Sequence, residues 1–198
     1  MALAKATLET KLKSVFASMR DGSKTNAWMA SQIAAEIRVY ILAGQVSTTD
    51  SGTAPAGVYA GAGSGTVTIN NDNLGSALKT TFEAAYGNDD LAAHIAADIN
   101  AACSASDTVS TSTKGTVTTS SGSSSSFSGT GKGKFTGAKA TIETTLKACF
   151  AAMNALSKGG DDYFAAQLAA AVDAYLKAGS VNVTLQSPLA GSGTGAVA

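Results

Sequence analysis

The stretch GAGSGTVTI, residues 61–69, decides how the rest of the chain is read. Its glycines alternate with small residues at Gly61, Gly63 and Gly65. A dinucleotide-binding loop needs a strand, then G-x-G-x-x-G opening straight into a helix, then an acid about 20 residues further on. Here a helical pattern and a long polar arm precede the glycines, and a β-like tail, TVTI, follows them. The phosphate-cradling pattern G-x-x-x-x-G-K-[ST] is also missing from the sequence. Alternating glycines instead let an extended segment lie with its backbone close against another backbone.

The triplet recurs as Gly129, Gly131, Gly133 and as Gly191, Gly193, Gly195, and so does everything before it. Each copy opens on one helical stripe: Leu8, Leu12, Phe16; Leu74, Leu78, Phe82; Ile142, Leu146, Phe150. A polar loop rich in Asp, Asn and Gly follows, and then a second helix. Its stripe is Met29, Ile33, Ile37, Tyr40, Ile41 in the first copy and Leu91, Ile95, Ile99, Ala102, Cys103 in the second. In the third it is Phe164, Leu168, Val172, Tyr175, Leu176. Copies one and three leave this helix at AGQV (43–46) and AGSV (178–181), which places Gly44 and Gly179 for left-handed C-caps. Copy two lacks both that glycine and the stripe tyrosine, and its arm is longer.

The arms alternate Val and Thr with small polar residues, as short strands or extended edges do. The middle arm, 104–135, is a Ser/Thr/Gly tract that alone buries too little area to order itself. It reads as a linker, or as an arm ordered on a partner. The expected fold is therefore mainly α with extended β-like arms, in three tandem helical-hairpin repeats. Their bounds are 1–69, 70–136 and 137–198.

Fourteen basic and fourteen acidic residues cancel, and only 14% of the chain is charged. No basic face is available to neutralise phosphates, so nucleic acid is not an expected partner. No apolar run is long enough for a membrane helix, and no membrane partner is expected. Lysines at 5, 11 and 13 break up the N-terminal apolar pattern, which reads as an amphipathic helix rather than a signal peptide. Synthesis in a cytoplasm follows from that reading.

The repeat also disposes of the tempting reagents. His94, the sole histidine, aligns with Gln32 and Gln167 and reads as a polar helix position. Cys103 aligns with Ile41 and Cys149 with Val15, as small buried apolar residues do. Asp89–Asp90 and Asp161–Asp162 precede second helices, where carboxylates favour the positive end of the macrodipole. No catalytic residue, cofactor or metal ligand is expected. Tyr59 and Phe127 stand isolated in polar arms, like anchors for a partner's pocket. With Gly61, Gly63, Gly65, Gly129, Gly131, Gly133, Gly191, Gly193 and Gly195 they make up the candidate partner-binding set.

The elements FAAQLAAAVDAYLKAGSVNVT with GSGTG, and MASQIAAEIRVYILAGQV with GTAPAG and GAGSG, resemble small accessory proteins of tailed bacteriophages. The resemblance covers all three units and implies a non-enzymatic virion component. Such a component would be made in the host cytoplasm and would assemble with copies of itself or with other virion proteins through its arms. The alternative is a host-receptor or glycan-binding surface module. A wall hydrolase would need an acid outside the repeat pattern, and Glu83 is the nearest to qualifying.

Overall fold

The computed structural model describes residues 3–20, 22–84, 86–156 and 158–198. Among these, each third of the chain contributes two helices and then two strands. The first third holds α1 (Lys5–Met19), α2 (Asn26–Ala43), β1 (Val46–Ala54) and β2 (Gly57–Val67). The second holds α3 (Asn71–Glu83), α4 (Asn88–Ser104), β3 (Val109–Thr118) and β4 (Ser124–Thr136). The last holds α5 (Lys139–Met153), α6 (Gly160–Ala178), β5 (Ser180–Leu185) and β6 (Ala190–Val197).

The six strands close into one antiparallel barrel in the order β1-β2-β3-β4-β5-β6. This overturns the mainly-α expectation with free arms. The segments read as arms pair with each other, and 104–135 orders as the β3–β4 hairpin within its own chain. One arm cannot bury enough surface, but six strands from three repeats jointly can. The register repeats with the units. Val46 faces Gly65, Val109 faces Gly133 and Val181 faces Gly195 within units. Val67 faces Val109, Phe135 faces Val181 and Val197 faces Val46 between them. The result is a pseudo-threefold body.

Two effects place the glycines. They occupy inward positions of a barrel of six strands, where only small residues leave room for side chains from the other strands. The third glycine of each triplet also meets a neighbouring strand's backbone. A Cβ on Gly65, Gly133 or Gly195 would fall on the carbonyl of Ser110, Asn182 or Ser47, three equivalent positions. Gly44 and Gly179 are not left-handed, with φ of −71° and −80°. Close packing explains them instead. A Cβ on Gly44 would lie 2.8 Å from Val197, and one on Gly179 would overlap the Phe135 ring.

The helices follow one another in a closed ring, each touching the next and α6 touching α1. Their stripes form the core, with Leu12, Ile37, Leu78, Ile99, Leu146 and Val172 all fully buried. The core continues into the barrel mouth through Val46, Val67, Val109, Phe135, Val181 and Val197. Tyr59, Val117, Leu185 and Leu189 form a separate apolar cluster further along the strands. Thr48, Asp50, Thr111 and Thr113 are also buried, on strand positions between these two apolar groups. The outward positions are mostly hydroxyls, such as Ser47, Thr49, Ser110, Ser112 and Thr116.

Candidate functional site

The second helices of the units are tied to one another near their C-termini by a circuit of tyrosines. Tyr40 of α2 donates to Asp173 Oδ1 of α6. Tyr175 of α6 donates to Asn100 Oδ1 of α4 at 2.9 Å, and its ring meets Phe135 edge-on at 5.3 Å. Tyr40, Tyr175 and Ala102 are equivalent along the stripes, and two residues before them stand Arg38, Asp173 and Asn100. The third link of the circuit should run from position 102 of α4 to position 38 of α2. Ala102 cannot make it.

A cleft of about 780 Å³ lies at this broken link, lined by Arg38, Ala102, Asp98 and Asn71 among others. Three further departures of the second unit meet here. Asn70 and Asn71 stand where the other units have Ala4–Lys5 and Ala138–Lys139. Asn70 caps α3, its Oδ1 accepting from the Asp72 and Asn73 amides at 2.9 and 3.0 Å. Ser106 replaces the close-packed glycine at position 44 or 179. From the aligned stripe position to the aligned strand valine the second unit is one residue longer (102 to 109, against 40 to 46 and 175 to 181), and Asp107 takes a left-handed conformation there, with φ of 59°.

The polar groups of the cleft are unevenly matched. Among the described residues no carboxylate lies within ion-pair distance of Arg38. Asn71 Oδ1 is buried without a hydrogen-bond partner. Burial raises the Asp98 carboxyl above its ordinary range, against the hydrogen bond from Thr81 at 2.7 Å. The cleft offers cationic donors on one wall and acceptors on another, around an apolar floor of Leu74, Ala77 and Ala102. That set can hold a ring with an acceptor group directed at Arg38. Its lining includes the hydroxyls of Thr68, Ser106 and Thr108 but no histidine.

The other residues singled out from sequence lie elsewhere. Tyr59 is fully buried inside the barrel, its hydroxyl 2.7 Å from Thr113 Oγ1. Phe127 is partly buried against the same cluster. Gly63, Gly131 and Gly193 meet the inward side chains of Thr48, Thr111 and Asp50. The glycine triplets and both aromatics are thus engaged by the chain's own strands, and the structure brings none of them to the cleft. His94 is exposed and stacks on Tyr86 at 4.0 Å. Burial pushes the Cys103 thiol up to about 12 and the Cys149 thiol up to about 11, which keeps both protonated and unreactive. Glu83 is held by Lys79 at 2.6 Å on the surface.

Asp89, Asp90, Asp161 and Asp162 lie in first helical turns, two and three residues past the capping position. Arg20 bridges to Asp161 at 3.1 Å and tethers the end of α1 to the start of α6. Among the described residues no group of three His, Cys, Asp or Glu side chains is placed to hold a metal ion. No helix there is long and apolar enough to cross a membrane. Sequence reading did not single out Arg38, Asn71 or Asp98. The available signal was that the second unit alone lacks the tyrosine and the glycine. No family model, curated protein or solved structure matches this chain.

Proposed function

We propose that this chain is a non-enzymatic structural component of a tailed-bacteriophage particle, joined to copies of itself or to other virion proteins through the outer faces of a rigid body. The observation that carries the reading is the pseudo-threefold body itself, with its departures gathered at one link. A body with three nearly equivalent faces can seat on a symmetric partner in three ways. A single divergent station, the cleft beside Ala102, selects one of them. Closure of the barrel moves the expected contacts from the arms to the outside of the helices and to this cleft, because every strand already has a neighbour on both sides. The hairpin and glycine elements that resemble phage accessory proteins supply the kind of particle.

The test is the mass and symmetry of the purified chain, alone and mixed with candidate virion proteins, by light scattering and electron microscopy. Co-assembly into a symmetric complex is expected, weakened in Ala102→Tyr. A monomer that enters no particle sinks the reading. One observation favours a second reading, a host-receptor or glycan-binding module: the barrel wall displays rows of exposed serine and threonine hydroxyls. Glycan-array binding by the free chain, with no co-assembly, would select it.

A further inference from the structure

Asp50 points into the barrel and is only 1% exposed, and both its carboxylate oxygens lack a hydrogen-bond partner among the described residues. The hydroxyls of Thr48 and Thr111, also buried, lack partners as well. Thr48 and Asp50 meet at Gly63, and Thr111 lies at Gly131 beside Val183, whose side chain also reaches Gly193 next to Asp50. Thr48 and Asp50 stand on β1, Thr111 on β3, and the two strands approach one another across the glycines of β2. A Cβ on Gly63 would overlap Thr48 Oγ1 and lie 2.7 Å from Asp50 Oδ2, and one on Gly193 would overlap Asp50 Oδ1. Glycine at both positions is what admits the carboxylate.

The fold itself does not require an acid at this position. Its equivalents in the other units are Thr113 and Leu185, in the same inward register. Thr113 satisfies its hydroxyl with Tyr59. Only the first unit places a carboxylate there, and a buried carboxylate is stable when it is paired or coordinates a cation.

We propose that the barrel interior binds a monovalent cation, coordinated by the Asp50 carboxylate with the Thr48 and Thr111 hydroxyls. All the ligands are hard oxygens, which suits an alkali cation. One negative charge balances one positive charge. A divalent ion would leave an uncompensated charge between two apolar layers, and calcium takes about 6–8 oxygen ligands, more than this site supplies.

Thermal midpoints of the full chain in sodium, potassium and tetramethylammonium chlorides at equal ionic strength test this. Sodium or potassium at about a hundredfold above its dissociation constant should raise the midpoint by roughly 5–10 °C over tetramethylammonium. Asp50→Thr, which copies the second unit, should fold and lose the difference. Equal midpoints of the unaltered chain in all three salts overturn the proposal, whatever the variant does. So does a cation dependence that survives in Asp50→Thr.

Discussion

The two complete tyrosine links and the broken one form a comparison within one molecule. At Tyr40 and Tyr175 a ring fills the space between neighbouring second helices, and its hydroxyl satisfies an acceptor across the gap. At Ala102 the same backbone position leaves a cleft walled by a half-buried acid and by Arg38, which has no ion-pair partner among the described residues. The helices, strand register and apolar ring are the same in all three. A pseudo-symmetric scaffold can therefore give up one packing element and gain a binding surface, because each helix still packs on the next around the ring.

The largest effect should come from breaking a second link. Tyr175 is fully buried, so Tyr175→Ala should cost about 3–5 kcal/mol in urea unfolding. Tyr40→Phe keeps the ring and removes one donor to Asp173, which retains Lys177 at 2.8 Å. A loss of about 1.5 kcal/mol is expected, at the low end for a bond to a charged group. Filling the cleft should act in the opposite direction. Ala102→Tyr should raise stability by about 0.5–2 kcal/mol, and a drop instead would mean that position 102 is not the missing ring.

The smallest effect is in titration. Burial opposes ionisation of Asp173, but hydrogen bonds from Lys177 and Tyr40 outweigh it and hold the carboxyl below its ordinary range. Its stabilising contribution is present above the unfolded-state value and is lost as pH falls through the lower folded value. Asp98 is raised, so its contribution has the opposite sign: most favourable in acid and lost as pH rises past the unfolded-state value towards the folded one. Carboxyl NMR titration should find Asp98 above and Asp173 below ordinary aspartate, and Ala102→Tyr should move Asp98 further upward by drying it.

The helix stripes were legible because a buried face at helical spacing leaves its mark on sequence, as at Ile33, Ile37 and Ile41. The departure of the second unit was legible too, in the missing tyrosine and glycine. The barrel was not. GAGSGTV has the alternation of a strand, but glycine carries no side chain to show which face is inward. Pairing partners such as Val46 and Val197 lie at opposite ends of the chain. Gly44 and Gly179 misled for a related reason. A glycine required by a distant ring, as at Phe135, looks in sequence like one required by a left-handed turn. Arg38 and Asp98 were hidden because their meaning depends on an absent neighbour across two helices.

The pairing of β1 with β6 has a consequence for biosynthesis. Backbone bonds between Gln45 and Ala198, 2.9 Å in both directions, extend that ladder to its end. A nascent chain can lay down α1 and α2 early, yet β1 keeps one open edge until β6 has been made. A chain stalled before β6 would therefore expose the β1 edge to pairing with other chains.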